Sequence, residues 1–226
     1  MRKYTSLFLD LDNTLLDFNM AEKVAVEKVL QSYGLPHDEK AVKTYSDINR
    51  NYWERFERGE IEKSEIFEGR FKTFLSVYNL EADTAAISKD YCLNLSEGYF
   101  KIDGAIEILE YLKEKGYKLY ATTNGLSLTQ FKRIENSGLK PYFDKIFVSE
   151  QAGHQKPEKE YFDYVIDNIE EKDRSKMLII GDSQSSDILG GINSSIDTCW
   201  FNPSCFLSKY KSNFEIASLY DIKKIL

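Results

Sequence analysis

Four short apolar runs, each ending in a cluster of polar residues, limit the possible folds of this chain more than any other feature of its 226 residues. Ser6–Leu9 runs into Asp10, and Lys118–Thr122 into Thr123-Asn124-Gly125. Lys145–Ser149 is followed by Gly153-His154-Gln155-Lys156-Pro157, and Met177–Ile180 by Gly181-Asp182-Ser183. Short continuous apolar runs bounded by Gly and polar residues are typical of strands buried on both faces of a parallel sheet. Between the runs the period becomes helical. Ala105, Ile108, Leu109 and Leu112 form a stripe over 104–115 that stops at Gly116. Phe162, Val165, Ile166 and Ile169 form another over 158–169, and a further helix is expected to start near Leu126. Strand–helix alternation implies parallel βα units with right-handed crossovers. One more strand is expected over Asp197–Phe201, with Cys199 as a small core residue.

From about Asn19 to Gly98 the chain reads as helical, with little strand signal. Val26, Val29, Leu30 and Tyr33 form one apolar stripe, ended by Gly34 and Pro36. Further helices are expected over 39–58, 63–79 and 83–97, with Gly59 breaking the pattern. The fold expected is therefore α/β: a doubly wound parallel-sheet core from residues 1–17 and 99–226, with an all-helical insertion at 18–98. Its crossing points are expected near Leu15–Phe18 and Ser96–Asp103.

The first strand delivers two carboxylates, Asp10 and Asp12, followed by Asn13-Thr14. Positions i and i+2 of a strand point to the same side. Paired carboxylates repel unless a cation or a proton lies between them. The pair thus implies either a divalent metal site or a nucleophile beside an acid/base group. Ligands of open parallel sheets bind beyond the carboxyl ends of the strands. The four exits would then bring carboxylates, a hydroxyl, an amine and a further carboxylate to one crevice. Each fragment alone has a plainer reading. Asp10 and Asp12 fit a surface turn, Thr123-Asn124 a helix cap, and Lys156 a solvated lysine ahead of Pro157 in a first helical turn. Asp182 and Asp187 fit a turn and a cap. Gly190-Gly191 follows no strand directly and lacks a Lys-Ser/Thr pair, so it reads as chain packing and not as a phosphate loop.

Net charge is −7 and there is no basic run, which argues against an electrostatic footprint for nucleic-acid polymers. A locally positive pocket for a small anion remains compatible with that balance. The opening Met1-Arg2-Lys3 superficially suggests a secretory leader, but Asp10 and Asp12 interrupt its apolar region. No apolar stretch approaches the roughly 20 residues a bilayer span needs. Cys92, Cys199 and Cys205 have no metal-ligand spacing, and an odd count does not suggest a disulfide framework. His37 and His154 are too few and too scattered for zinc, and His154 reads as a loop residue near Lys156. A cytoplasmic enzyme is expected, and its oligomeric state is not legible.

As an ordered set these motifs resemble the haloacid dehalogenase-like hydrolases, a superfamily made up mostly of magnesium-dependent phosphatases. The matching segments are Asp10-Leu11-Asp12-Asn13-Thr14, Thr123-Asn124-Gly125, Lys156-Pro157, and Gly181-Asp182-Ser183 through Asp187. The resemblance covers the whole chain. It implies a Rossmann-like core with a helical cap that closes over the active site and selects the substrate. It implies Asp10 as nucleophile and Asp12 as general acid/base. Mg²⁺ would be held by Asp10, the backbone carbonyl of Asp12, and Asp182. Thr123, Asn124 and Lys156 would bind phosphate, and Asp187 would orient the metal's waters or Lys156.

The cap string Ile48–Phe56 before Gly59 and the pair Arg70-Phe71 resemble the 5′-nucleotidase branch of the family. So do Gly181–Gly191 and Ile196–Asn202. That branch implies pyrimidine nucleoside 5′-monophosphates as substrates, with Asn49, Trp53 and Arg70 as candidate cap contacts. The cap's aromatic residues suit stacking on a base, and equally suit the cap's own packing. A sugar-phosphate phosphatase or phosphomutase would keep every motif. A 2-haloacid dehalogenase attacks carbon and needs neither a metal nor a second aspartate, so Asp12 and Asp182 argue against it. Asp12 also disfavours a phosphonatase. A phosphoaspartate signalling module would be shorter, would lack the insertion, and would carry its phosphoacceptor on a later strand.

Overall fold

The computed structural model describes residues 3–226, so Met1 and Arg2 of the leader-like opening lie outside the described residues. All four apolar runs are strands: β1 (Ser6–Leu9), β2 (Lys118–Thr123), β3 (Lys145–Val148) and β4 (Met177–Gly181). The expected fifth strand is β5 (Asp197–Phe201), and a sixth, β6 (Phe214–Ile216), was not anticipated. The six form one parallel sheet in the order β3-β2-β1-β4-β5-β6. β1 lies between β2 and β4, with Leu7 opposite Leu119 on one side and Leu178 on the other. Connections therefore wind away from β1 in both directions, which opens a crevice at its carboxyl end.

The chain divides into two compact units, Phe18–Phe100 and the remainder. The inserted unit holds four helices: α1 (Phe18–Ser32), α2 (Glu39–Glu57), α3 (Lys63–Val77) and α4 (Thr84–Ser96). Gly34 ends the α1 segment at φ +64°, a left-handed conformation that an L side chain would strain. Asp38 and Asp83 cap α2 and α4 by accepting from the backbone amides of Ala41, and of Ala85 and Ala86. Val26, Val29 and Leu30 of α1 pack with Tyr45, Phe71, Phe74, Ile87 and Tyr91 in a core belonging to this unit. Tyr45 and Phe71 have ring centroids 4.9 Å apart. Most of the helical unit's aromatic residues are thus accounted for by its own packing.

In the sheet unit the two-residue strand period divides the core into two layers. Leu7, Leu9, Leu119, Leu178 and Ile180 pack on one face with Ile108, Leu109 and Leu112 of α5 (Ala105–Glu114) and Ile134 of α6 (Ser127–Asn136). Phe8, Tyr120, Phe147 and Ile179 pack on the other face. A short α7 (Ser149–Ala152) precedes α8 (Lys159–Asp167), whose Tyr161, Phe162, Val165 and Ile166 cover that second layer. The last α-helix among the described residues is α9 (Leu189–Ser194). A Cβ at Gly190 would lie 2.6 Å from a ring carbon of Phe162, in line with the packing reading of the Gly-Gly pair. Cys199 is buried in the core, as expected. Among the described residues no helix is long and apolar enough to cross a membrane.

Candidate active site

The site forms where β1 and β4 end. Asp10 follows β1 directly, and its backbone amide donates to Ile180 O on β4 at 2.9 Å, continuing the ladder by one residue. Thr14 returns to the same point through the turn after Asp12. Its hydroxyl lies 3.1 Å from Asp10 Oδ2 and 3.3 Å from Asp182 Oδ1, and accepts from the Asp182 backbone amide at 3.1 Å. The Trp200 indole donates to the Asp182 carbonyl at 2.8 Å, fixing that backbone from β5. The segment after Ser183 is a π-helical turn over Gln184–Ile188, which carries Asp187 inward.

Lys156 is 2% exposed, so the solvated-lysine reading is overturned. Its ammonium donates to Asp10 Oδ1 at 2.6 Å, Asp187 Oδ1 at 2.7 Å and Thr122 O at 3.0 Å, which uses all three of its hydrogens. Burial alone would depress the Lys156 pKa, but Asp10 and Asp187 outweigh it and hold the ammonium charged. Burial pushes the Asp10 carboxyl up to about 7, against the pull of Lys156 and with a further push from Asp187. Asp182 is raised well above the usual carboxylate range by burial and by its neighbours Asp10 and Asp187. Oxygens of Asp10, Asp182 and Asp187 all lie within 4.8 Å of one another. Crowded carboxylates with a single ammonium among them form a hard-oxygen donor set in which negative charge is in excess. That chemistry fits a divalent cation such as Mg²⁺.

Gly181 leaves room for this arrangement. A Cβ there would collide with the Asp187 carboxylate. Gly181→Ala is expected to cost about 1–3 kcal/mol through overpacking. For a chain of this size that is a fall of roughly 2–12 °C in melting temperature, which calorimetry would read.

Thr123 lies at the end of β2, where its hydroxyl accepts from the Gly125 backbone amide at 3.0 Å and from Gln130 Nε2 at 2.8 Å. Asn124 is employed differently from expectation. Its Nδ2 donates to Lys156 O at 2.8 Å and its Oδ1 accepts from Lys156 N at 2.9 Å, so its amide is committed to holding the Lys156 backbone. Neither Thr123 nor Asn124 caps α6, whose N-cap is Leu126 with no side-chain bond. Asp10 and Asp12 emerge at the same end of the sheet but turn to different partners. The carboxylate of Asp12 accepts from Arg133 and, at 2.7 Å, from Gln130 Nε2. Gln130 and Arg133 escaped the sequence reading. Their only signal is a Gln-x-x-Arg spacing that places both on one face of α6.

In the helical unit, Asn49 and Arg70 are buried and bonded to each other. Arg70 Nη1 donates to Asn49 Oδ1 at 2.8 Å, and Asn49 Nδ2 donates to Glu22 Oε1 at 2.6 Å. The guanidinium lies 4.5 Å from the Tyr91 ring centroid. Both residues therefore depart from the expectation of cap side chains awaiting a ligand. A buried guanidinium stays charged, and here it draws on Glu22, Asn49 and aromatic faces. Trp53 packs edge-on against Phe56 at 5.8 Å, beside Ile61 and Ile66. His154 is a surface residue paired with Glu158 at 3.1 Å.

The family model for haloacid dehalogenase-like hydrolases matches residues 7–201 of this chain. The magnesium-bound crystal structure of the HAD-hydrolase YfnB of Bacillus subtilis, described as revealing interdomain movement, has a TM-score of 0.93 at 40% identity. That match covers 100% of this chain and 99% of YfnB. The pyrimidine 5′-nucleotidase PynA of Streptococcus pneumoniae is 38% identical over 200 residues, covering 88% of this chain and 84% of PynA. The pyrimidine 5′-nucleotidase YjjG of Escherichia coli is 31% identical over 200 residues, covering 88% of this chain and 87% of YjjG.

Proposed function

Since the chain belongs to the haloacid dehalogenase-like hydrolases and is an enzyme of their phosphatase type, we propose that it is a Mg²⁺-dependent phosphomonoesterase whose substrates are nucleoside 5′-monophosphates, pyrimidines preferred. The observation that carries this reading is the buried trio of Asp10, Lys156 and Asp187, with Asp182 beside it, at the ends of β1 and β4. A nucleophilic carboxylate meeting a phosphate dianion needs compensating charge and no bulk water; burial and Lys156 supply part of this, and the remaining excess of negative charge is what a divalent cation would offset.

In this reading Asp10 attacks phosphorus through a carboxylate oxygen. The P–O bond to the nucleoside breaks, its electron pair leaves on the 5′-oxygen, and Asp12 delivers the proton that completes the alcohol. Asp12, now ionised, takes a proton from water as that water attacks the phosphorus of the aspartyl-phosphate. The bond to Asp10 then breaks, releasing phosphate and restoring both carboxyls. Lys156 places its positive charge beside the phosphate, trading one of its present bonds for a phosphate oxygen, and the Thr123 hydroxyl holds another, while Asp187 holds Lys156 and Asn124 holds its backbone. Mg²⁺, bound by Asp10, Asp182 and the Asp12 carbonyl, would supply the charge that offsets repulsion between nucleophile and phosphate.

The helical unit is assigned the role of cap and the choice of substrate. Pyrimidine preference is supported by the names and coverage of PynA and YjjG. The three cysteines, all free, suit a cytoplasmic setting.

The test is phosphate release from dUMP, dTMP, UMP, purine monophosphates, glucose 6-phosphate and β-glucose 1-phosphate, with 2-chloropropionate followed by chloride release. EDTA is expected to abolish turnover and Mg²⁺ to restore it, with pyrimidine monophosphates leading. Activity on sugar phosphates alone would retain the chemistry and discard the nucleotidase assignment. Metal-independent hydrolysis or chloride release would overturn the mechanism.

A further inference from the structure

Arg133 is 0% exposed although its side chain carries a full charge. It lies on α6 one turn after Gln130, and the two reach Asp12 together. One nitrogen of Arg133, Nη1, donates to Asp12 Oδ1 and, at 3.0 Å, to Gln130 Oε1. That second bond decides which way the Gln130 amide faces. With Oε1 turned to Arg133, Nε2 points to Asp12 Oδ2 at 2.7 Å and Thr123 Oγ1 at 2.8 Å. Every contact is then donor to acceptor. The flipped amide would set its NH₂ against the guanidinium and its carbonyl against the Asp12 carboxylate.

The consequence for Thr123 follows from counting. A hydroxyl oxygen has two lone pairs and one hydrogen. Here both lone pairs are occupied, by Gln130 Nε2 and the Gly125 amide. Only the hydrogen is left to give, which makes Thr123 a committed donor, the role an anionic phosphate oxygen requires.

We propose that Arg133 and Gln130 are positioning residues of the active site. Arg133 fixes the Gln130 amide, and one Gln130 nitrogen then fixes both the Asp12 carboxyl and the polarity of the Thr123 hydroxyl. The acid/base group and a phosphate ligand are thereby set by a single side chain. This inference rests on the roles given to Asp12 and Thr123 in the proposed function.

The experiment compares kcat/KM for two esters that differ in their need for a proton. The leaving group of dUMP is a primary alkoxide and depends on the acid, whereas p-nitrophenolate leaves unaided from p-nitrophenyl phosphate. If dUMP is not hydrolysed, the most active alkyl monoester of the panel takes its place. kcat/KM reports only the steps up to departure of the alcohol, so the later hydrolysis does not blur the comparison. Asp12→Asn sets the full size of the difference.

Arg133→Met and Gln130→Leu are expected to raise KM for both esters through Thr123. They should also lower kcat/KM on the alkyl ester about tenfold or more beyond the loss on the aryl ester, within the range of general acid catalysis. Arg133→Lys keeps the charge without the fork and is expected to recover part of the difference. Should Arg133→Met fail to fold, Gln130→Leu and Arg133→Lys carry the comparison. Equal losses on the two esters in folded variants would overturn this inference and leave the phosphatase reading standing. A wild-type protein inactive on every phosphomonoester would overturn that reading, and this inference with it.

Discussion

Asp10→Asn is expected to reduce turnover at least about 10⁴-fold, the scale on which loss of a nucleophile is felt, while leaving the fold intact. The amide matches the carboxylate in shape but is a poor nucleophile toward phosphorus. Mass spectrometry must exclude deamidation back to Asp, and substantial turnover in a clean preparation would remove Asp10 from its role. A second readout comes from linkage. Burial raises the Asp10 carboxyl to about 7, above its ordinary 3.8. Between those values the folded, metal-free protein binds more protons than the unfolded chain, so its stability falls as pH rises through that window. Asn does not titrate. The metal-free variant should therefore lose less stability than wild type between about pH 4 and pH 7. Parallel denaturation midpoints across that range would contradict the buried placement of Asp10.

The second large effect is expected at Lys156. Lys156→Met keeps most of the volume and removes a buried ammonium bonded to Asp10, Asp187 and Thr122 O. Removing one partner of a buried ion pair costs about 3–5 kcal/mol, because the remaining charge has no compensation. The loss should appear as a lower urea midpoint with an unchanged slope. It should also depend on pH. Lys156 pulls the Asp10 pKa down, so without it the carboxyl binds its proton more tightly. Protonation at acid pH then relieves the deficit, and the gap between variant and wild type should widen as pH rises. Turnover should fall about 10²–10³-fold or more, since the proposed mechanism gives the phosphate a cationic partner there. A variant as stable and as active as wild type would refute the arrangement.

The strand exits were legible because short apolar runs and polar stops are written locally. β4 is an example: Met177–Ile180 is continuous and Gly181 marks its end. β6 was not legible. It has three residues, with an exposed Glu215 at its centre, too short for any period to emerge. The carboxylates and Lys156 stood out as residue types at strand ends. What each side chain bonds to did not, because those bonds form between segments far apart in the chain. Asn124 looked like a phosphate ligand and instead holds the Lys156 backbone 32 positions away. Asn49 and Arg70 meet across two helices, and Asn49 reaches Glu22 on a third. Arg133 is not singled out by the sequence at all. Only the packed structure shows it buried, with its charge directed at Asp12.

The place of β1 in the sheet also has a consequence for biosynthesis. β1 is synthesised before both of its neighbours, since Ser6 pairs with Lys118 on one side and Met177 on the other. The whole of Phe18–Phe100, with an apolar core of its own, is made before either neighbour exists. Domains generally fold as units in the order they are synthesised, so the helical unit is able to settle while β1 is still unpaired. Asp10 acquires Lys156 and Asp187 only when translation has passed them both. A chain stalled or cleaved before Lys156 carries Asp10, the nucleophile of the proposed mechanism, without the ammonium that balances it in the finished fold.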